Sequence, residues 1–227
     1  MSEVVAIIVD GTAVQPVLDV ASALASVVGA TVRRVDVTAD ATADRILTAL
    51  ADAPTFVGVL STEWLARDPG WHLMQSVHRP VVLVPADGPG RRQMISRALV
   101  PLDGTPESAA AVAQTVALLA RAGVDLVILH VFGTSTVPKY WDHGAHAHQA
   151  WQTEFLARFC EPSGVRLELR SGQAGEHVLD VAAAERVDLI ALGWSQHLGA
   201  GRARTVRSTV EQATVAVMLV PMATDPV

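Results

Sequence analysis

Ala98-Leu99-Val100-Pro101-Leu102-Asp103-Gly104-Thr105 opens the second half of the chain as a short apolar run closed by an Asp-Gly turn. Val5-Ala6-Ile7-Ile8-Val9-Asp10-Gly11-Thr12 lies over it at an offset of 93. Both segments read as a strand running into a turn. Further along, Gly29-Ala30-Thr31-Val32 to Asp36-Val37 lies over Gly123-Val124-Asp125-Leu126 to His130-Val131 at an offset of 94. Asp44-Arg45-Ile46-Leu47 then matches Glu176-His177-Val178-Leu179 at 132, and Pro80 to Pro85 matches Ala216 to Pro221 at 136. Four blocks in one order are the mark of an internal duplication. The jump from 94 to 132 means that the second copy holds 38 more residues between its second strand and the helix near Glu176.

Apolar runs such as Val81 to Val84 and Val215 to Val220 alternate with amphipathic stretches. Strands that are apolar on both faces belong to a parallel sheet covered by helices. Thr105-Pro106-Glu107 supplies an N-cap, a proline at the first helical position and an acid in the first turn; Val112, Val116 and Leu119 then form one stripe. Ser208 to Glu211 has capping-box spacing, within reach of a helix begun a turn earlier. The expected fold class is α/β, as two doubly wound parallel-sheet units in tandem. The Gly-, Pro- and charge-rich stretch Ala86 to Gln93 marks the connector. We place a truncated unit at 1–88, a linker at 89–96 and a full unit at 97–227. The first unit lacks one strand and the helix before it.

The 227 residues include 50% apolar and 18% charged, which supports a folded core and argues against disorder. Seventeen Lys and Arg against 23 Asp and Glu give a formal charge of −6, so the overall field repels nucleic-acid phosphates. Cys160 is the single cysteine, so no internal disulfide forms and a reducing compartment is expected. The first ten residues carry acids on both sides of a short apolar run and no basic region, and no apolar stretch reaches the roughly 20 residues that span a bilayer. We expect a cytoplasmic protein with no membrane or nucleic-acid partner.

Ligands of open parallel sheets bind beyond the carboxyl ends of the strands, where strand order reverses. That singles out Asp103-Gly104-Thr105, His130-Val131, Gly193 and the Arg-rich turn before the last helix. Asp103 offers acceptors to a ribose or an adenine edge, although an Asp-Gly after a strand is equally often a plain turn former. Arg202, Arg204 and Arg207 bring positive charge to an expected helix N-terminus, where they would hold an anion or simply answer nearby carboxylates.

Ala98 to Ser108, Ile128-Leu129-His130-Val131, Val187 to Gly193 and Val217 to Pro221 together resemble the universal stress protein family, strongly over 98–221 and weakly over 4–85, as a tandem form. The resemblance implies Rossmann-like (adenine nucleotide alpha hydrolase-like) units that pair through their last strands, here an internal pseudo-dimer; a homodimer of the whole chain stays open. In some members it implies ATP. By that comparison Pro101, Asp103 and Val131 match positions lining the adenosine, and Gly193 matches the first glycine of the phosphate motif.

The motif itself departs. ATP-binding members carry Gly, two residues, Gly, nine residues, then Gly and Ser or Thr, so that bare backbone N–H groups surround the phosphates. Here Gln196 stands at the second glycine, Ala203 and Arg204 fall at the Gly-Ser pair, and the loop is about three residues short. In the first copy, Ser61 replaces Gly193 and Asp68-Pro69-Gly70-Trp71 replaces the Arg-rich turn. The leading expectation is a non-catalytic stress-response binding or regulatory protein with weak or absent ATP affinity. The alternative is an ATP- or AMP-binding protein whose second unit uses Asp103, Val131, Gly193, Arg204 and Thr205.

Two rivals come from other classes. Gly193-Trp194-Ser195-Gln196-His197 nearly matches a G-x-S-x-G nucleophile elbow, yet no histidine follows His197 to complete a hydrolase triad. Asp142-His143-Gly144-Ala145-His146-Ala147-His148 crowds four potential metal ligands into seven residues. His143, His146 and His148 would not share one helix face, and Trp151, Phe155 and Phe159 mark the core side, so a solvated lid is expected there and no metal. Trp141 and Trp151 are expected as packing anchors.

Overall fold

The computed structural model describes residues 2–38, 42–66, 70–87, 94–133, 145–160, 164–197, 199 and 202–222. The first half runs β1 (Glu3–Val9), α1 (Val14–Val28), β2 (Thr31–Val37), α2 (Thr42–Ala51), β3 (Thr55–Ser61), α3 (Thr62–Leu65), α4 (Gly70–Met74) and β4 (Val81–Val84). The second runs β5 (Arg97–Pro101), α5 (Pro106–Arg121), β6 (Asp125–Phe132), α6 (Ala145–Phe159), β7 (Arg166–Ser171), α7 (Ala174–Ala184), β8 (Leu189–Trp194), α8 (Arg202–Gln212) and β9 (Ala216–Pro221).

The strands join into one nine-stranded sheet in the order β2-β1-β3-β4-β9-β8-β5-β6-β7. Neighbours within each half are parallel. At the centre β4 and β9 run antiparallel, with Val82 opposite Met218 and Leu83 opposite Val217. The two halves are therefore lobes related by a pseudo-twofold through the sheet, and the second carries the additional α6 and β7. Of the Val81 to Val84 and Val215 to Val220 runs expected to pair the copies, Val81 to Leu83 and Val217 to Leu219 form this seam.

Strand register refines the repeat. Val4 pairs with Val57 as Ala98 pairs with Leu189, and Val4 pairs with Val32 as Ala98 pairs with Leu126. In the sheet, then, β1 overlies β5 at 94 and not at 93, because the Asp10-Gly11 turn arrives one residue later than the Asp103-Gly104 turn. The side chains confirm the frame: Val4, Ala6 and Ile8 share a face with Ala98, Val100 and Leu102.

Both faces are buried. One face packs β-strand residues such as Leu83, Leu99 and Val217 under α2, α7 and α8, and the other packs Val82, Val100 and Met218 under α1, α5 and α6. Each layer runs unbroken across the seam. Thr105 caps α5, with Pro106 at its start, and Val112, Val116 and Leu119 are all buried. Ser208 to Glu211 lies inside α8, which begins at Arg202, so its capping-box spacing caps nothing. Asp188 accepts from the backbone N–H groups of Ser96 and Arg97, at 2.9 and 3.1 Å, and so fixes the entry into β5.

Candidate functional site

The order β9-β8-β5-β6-β7 reverses between β5 and β8, and a cleft opens there beyond the strand ends. Pro101 and Asp103 after β5, Val131 on β6, Gly193 on β8 and Thr205 on α8 all line it. Arg204 does not. It is exposed on the other side of α8, beside Arg207, Ser208 and Glu211, because Ala203, Val206 and Val210 turn the buried stripe of that helix inward. Assigning Arg204 to the cleft is therefore corrected by helical periodicity, a signal already present in the spacing of those apolar residues.

Ser108, Ala174, Val178, Leu192, Val206 and Met222 are also among the lining residues. The space left is about 110 Å³. Ligand sites commonly run to roughly 300–1,000 Å³, so the cleft is narrow in this conformation. Met222 helps to close it: its backbone N–H donates to the Trp194 carbonyl at 2.8 Å, which seats it beside Gly193.

Asp103 is engaged locally. Its Oδ1 accepts from Thr105 N–H at 3.0 Å, from the Thr105 hydroxyl at 2.7 Å and from the Ser108 hydroxyl at 2.6 Å. The turn former and the candidate ligand group are one carboxylate, held at the start of α5 where the helix dipole favours it. Gly104, at φ 81°, lies so close to His130 that a Cβ would meet its Cε1 at 3.1 Å. His130 is buried against Phe132, Trp151 and Phe155, with ring centroids 4.6, 5.4 and 4.9 Å away. Burial holds its imidazole below the ordinary value, partly offset by the hydrogen bond to the Leu102 carbonyl and by the charge of Asp103. Trp151 and Phe155 stack 4.9 Å apart and anchor α6 as expected, while Trp141 lies outside the described residues.

Trp194, at the end of β8, and Gln196 beyond it are tied to the first lobe. Trp194, 1% exposed, packs its ring 6.1 Å from Trp71 of the first lobe and donates Nε1 to the Met74 carbonyl at 3.5 Å. Gln196 adopts φ 60°, the left-handed conformation for which the missing glycine would be suited. Its side-chain amide donates to the Val77 carbonyl at 2.6 Å, and Gln75 donates to the Gln196 carbonyl at 3.1 Å. None of these first-lobe partners had a sequence signal, since each acts across some 120 residues.

His197 turns Nδ1 toward the Ser195 carbonyl, not its hydroxyl, so the elbow-like run does not assemble a Ser–His pair. In the first lobe, Glu63 accepts from Ala13 N–H at the start of α1, at 2.7 Å, and from the Ser61 hydroxyl at 3.2 Å. His143 lies outside the described residues, and the side chains of His146 and His148 are likewise not described. Among the described residues no three His, Cys, Asp or Glu gather as a metal site. Among them, too, no helix is long and apolar enough to cross a membrane.

Fold and cleft define a doubled Rossmann-like α/β protein, with a binding crevice at the carboxyl ends of its strands. The family model for the universal stress proteins matches residues 94–221, and the chain belongs to that family. The tandem form is seen in the solved structures it resembles along its whole length. A functionally unknown protein from Pseudomonas aeruginosa PAO1 shares 13% identity at a TM-score of 0.70, covering 98% of this chain and 93% of that one. A putative universal stress protein from P. aeruginosa UCBPP-PA14 gives the same identity and score, over 98% and 94%. A universal stress protein from Archaeoglobus fulgidus DSM 4304 shares 15% identity at a TM-score of 0.60, over 100% and 88%. No curated protein matches the chain.

Proposed function

We propose that this universal stress protein is a non-catalytic binding or regulatory protein, cytoplasmic, whose second unit (97–227) carries a cleft for a small ligand and holds ATP weakly or not at all. Pro101, Asp103 and Val131 keep the nucleoside side of an adenine-nucleotide site. Of the phosphate side Gly193 and Thr205 still line the cleft, but the second glycine and the Gly-Ser pair are lost. The observation that carries this reading is Gln196: at the place of the motif's second glycine, it commits its amide and its carbonyl to Val77 and Gln75 of the first lobe. Where a glycine would offer a phosphate bare backbone, Gln196 brings a side chain tied to the first lobe. The single cysteine and the charge of −6 support a reducing compartment and no nucleic-acid partner.

The test is the absorbance ratio at 260 and 280 nm of the purified full chain, followed by thermal unfolding with added ATP. A protein-like ratio and a shift of under about 1 °C at about 1 mM are expected. Ligand at 100 times its Kd stabilises by about 2.7 kcal/mol, and a chain of this size gains about 2–4 °C per kcal/mol. An upward shift of several degrees that Gly193→Arg abolishes would refute the reading in favour of an ATP-binding second unit.

A further inference from the structure

The first lobe meets the second beside its cleft through one short segment, α4. Gly70 starts α4 in a place where a Cβ would lie 2.7 Å from the Leu65 Cα, so only glycine lets the helix pack this closely. That approach delivers Trp71, Met74 and Gln75 to the seam, with Val77 just beyond. Two side chains of the second lobe answer them at the β8 end of the β8–α8 connection, Trp194 and Gln196. Arg207 does so from α8, its guanidinium carbon 5.4 Å from the Trp71 ring centroid. The Arg207 Nε is buried with no hydrogen-bond acceptor among the described residues, so the ring face is what holds it. Since α8 also supplies Thr205 and Val206 to the cleft, that wall is tied to the first lobe through Arg207.

We propose that this α4 segment is a gate acting in cis: by holding Gln196 and α8 it keeps the cleft narrow, and releasing it admits a phosphate-bearing nucleoside. The first lobe is then a regulator of the second and not an idle copy. The inference rests on the nucleoside-binding reading of the cleft given above. Gln75 and Gln196 are its control points, because the Gln75 amide donates to the Gln196 carbonyl and the Gln196 amide to the Val77 carbonyl. A partner or modification that pulls on the first lobe's α4 would switch ligand affinity without touching the cleft.

The experiment compares the full-length protein with Gln75→Ala, Gln196→Gly and the double variant. Glycine at 196 suits the observed φ, so this change loosens the contact without straining the turn; circular dichroism checks that each variant folds. Two readouts are used: trypsin cleavage after Arg204 without ligand, and affinity for AMP and for ATP by calorimetry. The gate predicts cleavage at least about 5-fold faster in the double variant, and binding of AMP at least about 10-fold tighter than wild type. Unchanged cleavage overturns it, as does faster cleavage with unchanged AMP affinity. Tight ATP binding by the wild type is a separate result. It refutes the function proposed above and is read from the wild-type titration alone, whereas the gate is read from the difference between wild type and variants.

Discussion

Arg34 occupies in the first lobe the sheet position that Ile128 occupies in the second: Ala6 registers with Arg34 as Val100 registers with Ile128. Ile128 is fully buried, in the layer that includes Phe155 of α6. Among the described residues Arg34 has no helix equivalent to α6 above it, and its side chain is half exposed and bonded to Asp36 at 2.6 Å. Asp36 in turn stands at the position of His130. The loss of a strand and a helix is thus matched by charges on the newly open edge, a device that also discourages edge-to-edge pairing.

Exchanging the two residue types gives opposite outcomes. Ile128→Arg buries an unpaired charge and is expected to cost more than about 4 kcal/mol or to abolish folding. Arg34→Ile leaves urea stability within about 0.5 kcal/mol but increases self-association in light scattering. Equal costs for the two changes would show that the missing helix is not what separates the sites.

How far the sequence alone reaches can be seen residue by residue. Val81 to Val84 and Val217 to Val220 announce buried strands because apolarity on both faces suits a covered sheet and little else, and their pairing at the seam follows from the duplication. Thr105-Pro106 announces a helix start through local backbone chemistry. Charge alone does not tell Thr205 from Arg204 in the Arg-rich turn; the Ala203, Val206, Val210 stripe does. Gln196 is legible as a lost glycine, but its retained left-handed backbone and its hold on Val77 are not. Local signals report propensity, whereas a bond spanning 119 residues reports only the folded chain.

The shared sheet makes the two lobes one cooperative unit. Leu83 is fully buried opposite Val217, in a core layer that serves both lobes. Leu83→Ala is expected to cost about 2–5 kcal/mol and to lower the urea midpoint of both lobes together. Far-ultraviolet dichroism and tryptophan fluorescence, which has reporters at Trp64 and Trp71 in one lobe and Trp151 and Trp194 in the other, should give coincident transitions. Two separated transitions would contradict the continuous core.

Two glycines at the cleft separate structural need from ligand access. Gly104 has φ 81°, and an added Cβ would press on the His130 ring at 3.1 Å, so Gly104→Ala should cost about 1–3 kcal/mol. At Gly193 a Cβ finds its nearest atoms at 3.6 Å or more, an ordinary contact distance. Gly193→Ala should therefore change thermal stability by less than about 1 °C, in line with the small effects of unstrained substitutions. A large loss at Gly193 would mean that the cleft is a packed core element and not a ligand space.

His130 should make the protein acid-sensitive. Its Nδ1 lies 2.9 Å from the Leu102 carbonyl, which can only accept, so the neutral ring carries its proton on Nδ1. Phe132 of its own strand and Trp151 and Phe155 of α6 face the ring without charge, and Asp103 of the β5–α5 turn supplies a carboxylate that only partly offsets burial. Because the folded imidazole titrates below its unfolded value, both states are neutral above about pH 6.5, and His130 then contributes no pH dependence. Below that value the unfolded chain takes up the proton first. Stability therefore falls as the pH drops, until the folded imidazole also protonates. Urea midpoints measured at pH 7.5 and 5.5 should accordingly differ less in His130→Phe than in the wild type, the seven other histidines being common to both proteins. The same pH dependence in both would show that the ring under Gly104 is already charged or freely solvated, and that the α6 aromatic layer does not bury it.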